Sequence, residues 1–345
     1  MSSVKKIILT AFVLQIIVCF ASCQAIISLG LKINANDQLY ITSKFGENSC
    51  EVDLIPNLSY CSNSISVIPS YAKSCGSQII GQNSFVEGDE YSAKFQLGQI
   101  ETNLNFTIPN PSSSFFGSKD LCFGAVLQED QDNVIAQLFS IKLILDQKFY
   151  ININDVSSQS GVVGSIELGY PNQSLIKEGS NFVSLLSAQA QSSSGYFSYS
   201  NRNLTYGGQQ LIGGTSAVVS LNDPFLQISN FSFKSLLQTF LIQGINYTYL
   251  PNQNYRVLLQ SIEKLQDISI DLVAEDNSIY TLNIKPKDYT RQLENGQYQL
   301  LIFPTFYSNT ISLGYSVLQS YYLGFDLLTQ TVLVAEKADN DAHQF

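Results

Sequence analysis

Residues 313–337 read LGYSVLQSYYLGFDLLTQTVLVAEK. The run TVLVA at 331–335 is rich in β-branched residues, and the aromatic run before it is set off by turn-forming residues. Both are marks of short strands. The same rhythm recurs in LYITSKF (39–45), YSAKFQL (91–97) and FYINI (149–153), each bounded by Asn, Gly, Ser or Pro. Only 13% of the residues are charged, and few segments carry apolar side chains at three- and four-residue spacing with charges opposite. Long amphipathic helices are therefore not expected. The chain reads as all-β with a few short helices. Two are expected, at Asn181–Ala188 and at Ser232–Gly244, where Phe233, Leu236, Leu237 and Phe240 share a face.

With 345 residues the chain is long enough for two lobes. A formal charge of −10 repels phosphate backbones, so nucleic acid is not an expected partner. Lys5 and Lys6 precede an apolar run over 7–21 and then small residues, which reads as a secretory signal peptide over 1–23, cut near Cys23 or Ala25. The alternatives are an uncleaved anchor and a lipoprotein box at Phe20-Ala21-Ser22-Cys23. No later segment reaches the roughly 18 consecutive apolar residues of a membrane span. The expected location is the secretory route: extracellular, vacuolar or lysosomal, or at the cell surface.

Beyond the leader, four cysteines remain in a compartment that permits disulfides: Cys50, Cys61, Cys75 and Cys122. Of the three ways to pair them, Cys61 with Cys75 and Cys50 with Cys122 is favoured. Sequons at Asn57, Asn105, Asn172, Asn203, Asn230 and Asn246 are candidate glycosylation sites. The Ser/Gln-rich patch AQAQSSSG (188–195) is the candidate junction between an N-terminal lobe over 26–188 and a C-terminal lobe over 189–337. The remainder, 338–345, is a polar tail.

The sole histidine, His343, stands in that tail, which removes Ser-His-Asp and Cys-His nucleophiles and histidine metal sites. Neither a zinc spacing nor a Gly-rich phosphate loop is present, so no metal or cofactor is expected. The pairs Gly207-Gly208 and Gly213-Gly214 read as turns. Carboxylates are what remain for chemistry.

The 313–337 stretch resembles the closing region of pepsin-like aspartic proteases, which runs Leu-Gly-Asp, then Tyr-Tyr, then Phe-Asp and a Val-rich strand ending in Ala. The matching positions are Leu313, Gly314, Tyr321, Tyr322, Phe325, Asp326, Val332 and Ala335. LQDISIDLVAEDNSIYTLNIKPKDYT (265–290) is similar to another strand pair of that family, at Leu265, Asp267, Ile268, Leu282, Pro286 and Tyr289. GVVGSIELGYP (161–171) and FSYSNRNLTYGG (197–208) are weaker matches, the first putting Gly164 at a motif whose second-lobe counterpart is Gly314.

The resemblance implies a bilobal pepsin-like fold, two related β lobes with a central cleft, each lobe giving one aspartate on an Asp-Thr-Gly loop. Asp53 in CEVDLIPNLSYC (50–61) matches the first aspartate, but Leu54, Ile55 and Pro56 follow it; it is either a relic of the dyad or an aspartate of a surface loop. In SAVVSLNDPFLQIS (216–229), Ser220, Leu221 and Asn222 replace the second loop. Ile80 falls at the flap tyrosine, and Asp326 reads as structural.

In that family two facing carboxylates share one proton, because like charges about 3 Å apart cannot both ionise. A serine supplies neither the charge nor the acidic proton. Asp223 is the one nearby substitute, and a three-residue displacement moves a side chain by several ångströms. The expectation is a catalytically inactive family member that keeps the cleft as a groove for a peptide or protein. The alternatives are an active aspartic-type endopeptidase with an atypical dyad and a structural secreted β glycoprotein.

Overall fold

The computed structural model describes residues 26–58, 69–83, 88–109, 120–124, 133–154, 161–188, 197–305 and 310–338. The expected leader, the 189–196 junction, Cys61 and His343 lie outside these residues. Strands dominate, and the α-helices among the described residues are short: Pro69–Ser74, Val134–Ser140 and Asn230–Ile242. Among the described residues, no helix is long and apolar enough to cross a membrane.

Two kinds of strand build the larger sheet. Ile27–Ile33 and Leu39–Phe45 alternate buried and exposed positions, the period-two pattern of a strand with one wet face. Lys148–Ile153 and Tyr321–Asp326 are buried on both faces almost throughout, which is why FYINI and YYLGF read as continuous apolar and aromatic runs. The path of this sheet is Val183–Leu185, Thr331–Glu336, Tyr321–Asp326, Lys148–Ile153, Val162–Leu168, Ile27–Ile33, Leu39–Phe45, Cys50–Asn57, Asp120–Cys122. An antiparallel meander of Gln78–Asn83, Gly88–Leu97 and Ile100–Pro109 attaches at Leu39–Phe45.

The chain between 198 and 313 forms separate sheets. A seven-stranded one is ordered Ile279–Ile284, Ile268–Val273, Ser198–Tyr206, Gln209–Val219, Ile311–Leu313, Leu226–Ser229, Ile302–Thr305. Tyr247–Leu250, Arg256–Leu259, Thr290–Gln292 and Tyr298–Leu300 make the smallest sheet. The final hairpin then returns to the first sheet, with Tyr322 opposite Asn152 and Asp326 opposite Lys148. There Phe325 stacks on Phe149, their centroids 4.8 Å apart, and Phe197 packs edge-on against both.

Residues 181–188, expected to be helical, differ. Val183–Leu185 is a strand, because its backbone groups are taken up by the last strand, Val183 opposite Val334 and Leu185 opposite Val332. The second expected helix is present as Asn230–Ile242, capped by Ser229, whose hydroxyl accepts from the Ser232 N–H at 3.2 Å. Phe233, Leu236, Leu237 and Phe240 are its buried face. Gly207 and Gly208, at φ 54° and 80°, form a two-residue hairpin turn, as expected. Gly213 and Gly214 instead lie inside the Gln209–Val219 strand.

A disulfide joins Cys50 to Cys75, not Cys61 to Cys75. Cys50 opens the Cys50–Asn57 strand, and Cys75 follows the Pro69–Ser74 helix, where its carbonyl accepts from Asn48 N–H in the preceding turn. Cys122 stands opposite Asn57 at the other end of that strand, about 23 Å from Cys50 at 3.3 Å per residue. A bridge needs Cα atoms within about 7 Å, so Cys50 and Cys122 cannot pair. Cys122 is itself disulfide-bonded, to a partner outside the described residues.

Asp37, in the turn after Ile27–Ile33, ties the sheets together. Its carboxylate pairs with Arg291 of the small sheet at 2.7 Å, and its carbonyl accepts the hydroxyl of Tyr315 at 2.9 Å.

Candidate functional site

The strand Ile311–Leu313 lies between Gln209–Val219, which it parallels, and Leu226–Ser229, which it opposes. The loop 220–225 joins those two flanking strands across its end. Three backbone bonds clasp the loop: Ser220 N–H to Leu313 C=O at 2.9 Å, Gly314 N–H to Phe225 C=O at 3.0 Å, and Tyr315 N–H to Asp223 C=O at 3.1 Å. Gly314 is required by the closeness of this crossing, since a Cβ there would sit 2.4 Å from both backbone N and O of Phe225. Gly164 is not its equivalent in place. It belongs to Val162–Leu168, between two antiparallel neighbours, where a Cβ would meet the carbonyl of Asn152.

Ser220 and Asp223 come together on this loop. The Ser220 hydroxyl donates to Asp223 Oδ2 at 3.3 Å, Gln227 Nε2 donates to the same oxygen at 3.1 Å, and Phe225 N–H donates to Oδ1 at 2.9 Å. Burial pushes the Asp223 carboxyl above its ordinary value, outweighing the three donors, which pull it down.

Two cavities meet at these residues. The smaller, about 230 Å³, is lined by Ser220, Leu221, Asn222 and Gln227 and, from the larger sheet, by Asn57 and Leu58. The larger, about 680 Å³, is lined by Asp223, Phe225, Gln227, Arg256 and Phe303, among others. Gln227 lines both, and it is the residue that donates to Asp223.

Asp53 is elsewhere. It lies within the Cys50–Asn57 strand rather than on a loop, exposed, and accepts the hydroxyl of its cross-strand partner Thr42 at 2.9 Å. The Thr42 oxygen in turn accepts from Lys32 Nζ at 3.0 Å. Asp53 lines neither cavity. Asn57, four residues further on, does line the smaller one, so Asp53 is about 13 Å along the strand from it. Ile80 sits at a register shift in the Gln78–Asn83 strand and is half-exposed; the residues after that strand, 84–87, lie outside those described. Asp326 holds the last hairpin: its Oδ1 accepts from Leu328 and Thr329 N–H at 3.0 and 3.2 Å, and Lys148 pairs with it at 3.2 Å.

Of the sequons, Asn105 and Asn246 are exposed, while Asn57, Asn172, Asn203 and Asn230 are half-buried. Asn203 turns its side-chain oxygen into the sheet without a partner. Sequence reasoning missed Gln227, Arg256 and Phe303 as cavity residues, and took Asn57 as a sequon and as part of the Asn-Leu pair that follows the first aspartate in the family resemblance. Arg256 had one signal, being among three arginines of an acidic chain. No known protein-family model matches the chain, and no curated protein sequence matches it.

Proposed function

We propose that this chain is a secreted, bilobal, pepsin-like protein that has lost proteolytic chemistry and uses the cleft between its sheets to hold a peptide or protein segment. The observation that carries this is the separation of the acids. Ser220 and Asp223 border the cavities between the sheets, while Asp53, the other aspartate of the expected dyad, is outward-facing on a strand and bonded to Thr42. One carboxyl without a facing partner cannot share a proton, and loss of general acid or base work removes about 10² to 10⁴ in rate. Support for the secretory route is the Cys50–Cys75 disulfide, a bond that persists in oxidising compartments.

The purified protein is expected to leave denatured haemoglobin and a quenched peptide uncut at pH 3 to 5, with or without pepstatin. Ser220→Asp is expected to remain inactive too, since restoring that acid does not bring Asp53 to it. Peptides binding by fluorescence polarisation, and losing affinity in Ser220→Tyr, would place the groove. Pepstatin-sensitive cleavage abolished by Asp53→Asn or Asp223→Asn would instead establish the endopeptidase with an atypical dyad.

A further inference from the structure

Resting on the groove reading above, we propose that the 680 Å³ cavity recognises the free C-terminal carboxylate of a peptide that ends in an aromatic or large apolar residue, with Arg256 as the carboxylate clamp. Arg256 lines this cavity, its Nε is buried, and that nitrogen has no hydrogen-bond partner. Among the described residues its guanidinium forms no ion pair, whereas Arg291 is neutralised by Asp37. A partly buried cation without a partner is destabilising unless something anionic joins it. The planar fork of a guanidinium matches a carboxylate through two parallel hydrogen bonds.

The one acid among the described lining residues, Asp223, is already engaged. Asp223 accepts from Phe225, Gln227 and Ser220 and makes no ion pair with Arg256. Of Asp223 and Arg256, both in the lining, Arg256 is therefore the one left without a hydrogen-bonding partner.

Aromatic rings occupy the same cavity. Phe225 and Phe303 lie 5.5 Å apart, and Tyr255 meets Phe303 edge-on at 5.7 Å. Such rings offer an apolar or aromatic side chain a place beside the cation. The side-chain amides of Gln227, Asn252, Asn254 and Gln299 provide donors and acceptors together, as a peptide backbone requires. Through Gln227 the cavity adjoins the one at Ser220 and Asn57, so a linear ligand anchored at Arg256 has a path toward the larger sheet.

The test is a matched pair: an N-acetylated pentapeptide ending in phenylalanine as the free acid, and the same peptide as its C-terminal amide. Affinities are measured by calorimetry for the wild type, Arg256→Gln, Arg256→Lys and Phe303→Ala, with thermal midpoints confirming that each variant folds. The acid is expected to bind at least about tenfold tighter than the amide, the worth of one charged hydrogen bond. That gap should close in Arg256→Gln and shrink in Arg256→Lys, while Phe303→Ala weakens both peptides alike.

Equal binding of acid and amide, or a gap that persists in Arg256→Gln, overturns the carboxylate clamp and leaves the peptide groove standing. Binding of N-acetylphenylalanine but of neither pentapeptide keeps the carboxylate and overturns the peptide. If none of the three binds, both the clamp and the groove fall.

Discussion

Ser220 and Asp223 share a hydrogen bond of 3.3 Å within one loop, and the serine hydroxyl is the donor. Gln227 donates to the same carboxylate oxygen. The position that the family resemblance reserves for an acid is thus filled by a residue that supports a neighbouring carboxylate. What this pair does to proton binding can be measured without any ligand.

Burial raises the Asp223 pKa above its ordinary 3.8, so the folded chain holds this proton more tightly than the unfolded chain does. The stability that the neutral form contributes is complete below the unfolded value and is lost as pH rises through the folded one. Asp223→Asn cannot ionise, but its amide nitrogen at the Oδ2 position faces the Gln227 Nε2 donor, which costs about 1 kcal/mol. The variant is therefore expected to be less stable than the wild type at pH 3 and to narrow that gap by pH 7. Urea midpoints at pH 3, 5 and 7 test this; a gap independent of pH contradicts it.

Removing the Cys50–Cys75 bridge releases a loop spanning 25 residues. Loop-closure entropy puts the loss at about 3.5 kcal/mol. Cys50→Ser/Cys75→Ser should lower the urea midpoint accordingly with the m-value little changed. Peptide mapping without reductant should recover Cys50 linked to Cys75; recovery of Cys61 linked to Cys75 would refute the pairing.

Lys337 is buried at the end of the last strand, and its ammonium donates to the Ile153 carbonyl at 2.6 Å. Burial lowers its pKa from 10.5 to about 8, with Asp288 and Glu167 opposing the shift. Between those values the unfolded chain carries a proton that the folded chain has released, so this group makes stability rise with pH across the interval from about 8 to 10.5. The slope for one proton is at most about 1.4 kcal/mol per pH unit. Lys337→Met should lack that rise, and the difference in unfolding free energy between the two proteins, followed from pH 7.5 to 10.5, reports it. Parallel curves would show that Lys337 stays charged throughout.

Much of the strand content was legible because it is local. LYITSKF and TVLVA carry their own propensity and are bounded by turn residues, and the apolar face of Asn230–Ile242 is a helical period in its own segment. The stretch at 181–188 was misread because its strand exists only through pairing with Val332 and Val334, about 150 residues away. The cysteines fail for the same reason: spacing along the chain says nothing about which end of the Cys50–Asn57 strand each one meets. Asp53 was placed on a loop by analogy with a motif, whereas the residues around it alternate exposed and buried as a strand does. Arg256 offered only its rarity in the sequence, because lacking a partner is a property of the folded surroundings and leaves no mark on neighbouring letters.

The return of the last hairpin to the first sheet sets an order on biosynthesis. Until residues 321–336 have emerged, the Lys148–Ile153 strand has a bare edge, with its N–H and C=O groups and the face of Phe149 uncovered. Everything between 198 and 313 must be made before that edge is closed. At about 5 to 20 residues per second, the nascent first half waits on the order of ten seconds or more in a sticky, half-finished condition. A ribosome-bound chain stopped before residue 321 would be a client for chaperones, and truncation there would leave the first sheet unable to complete itself.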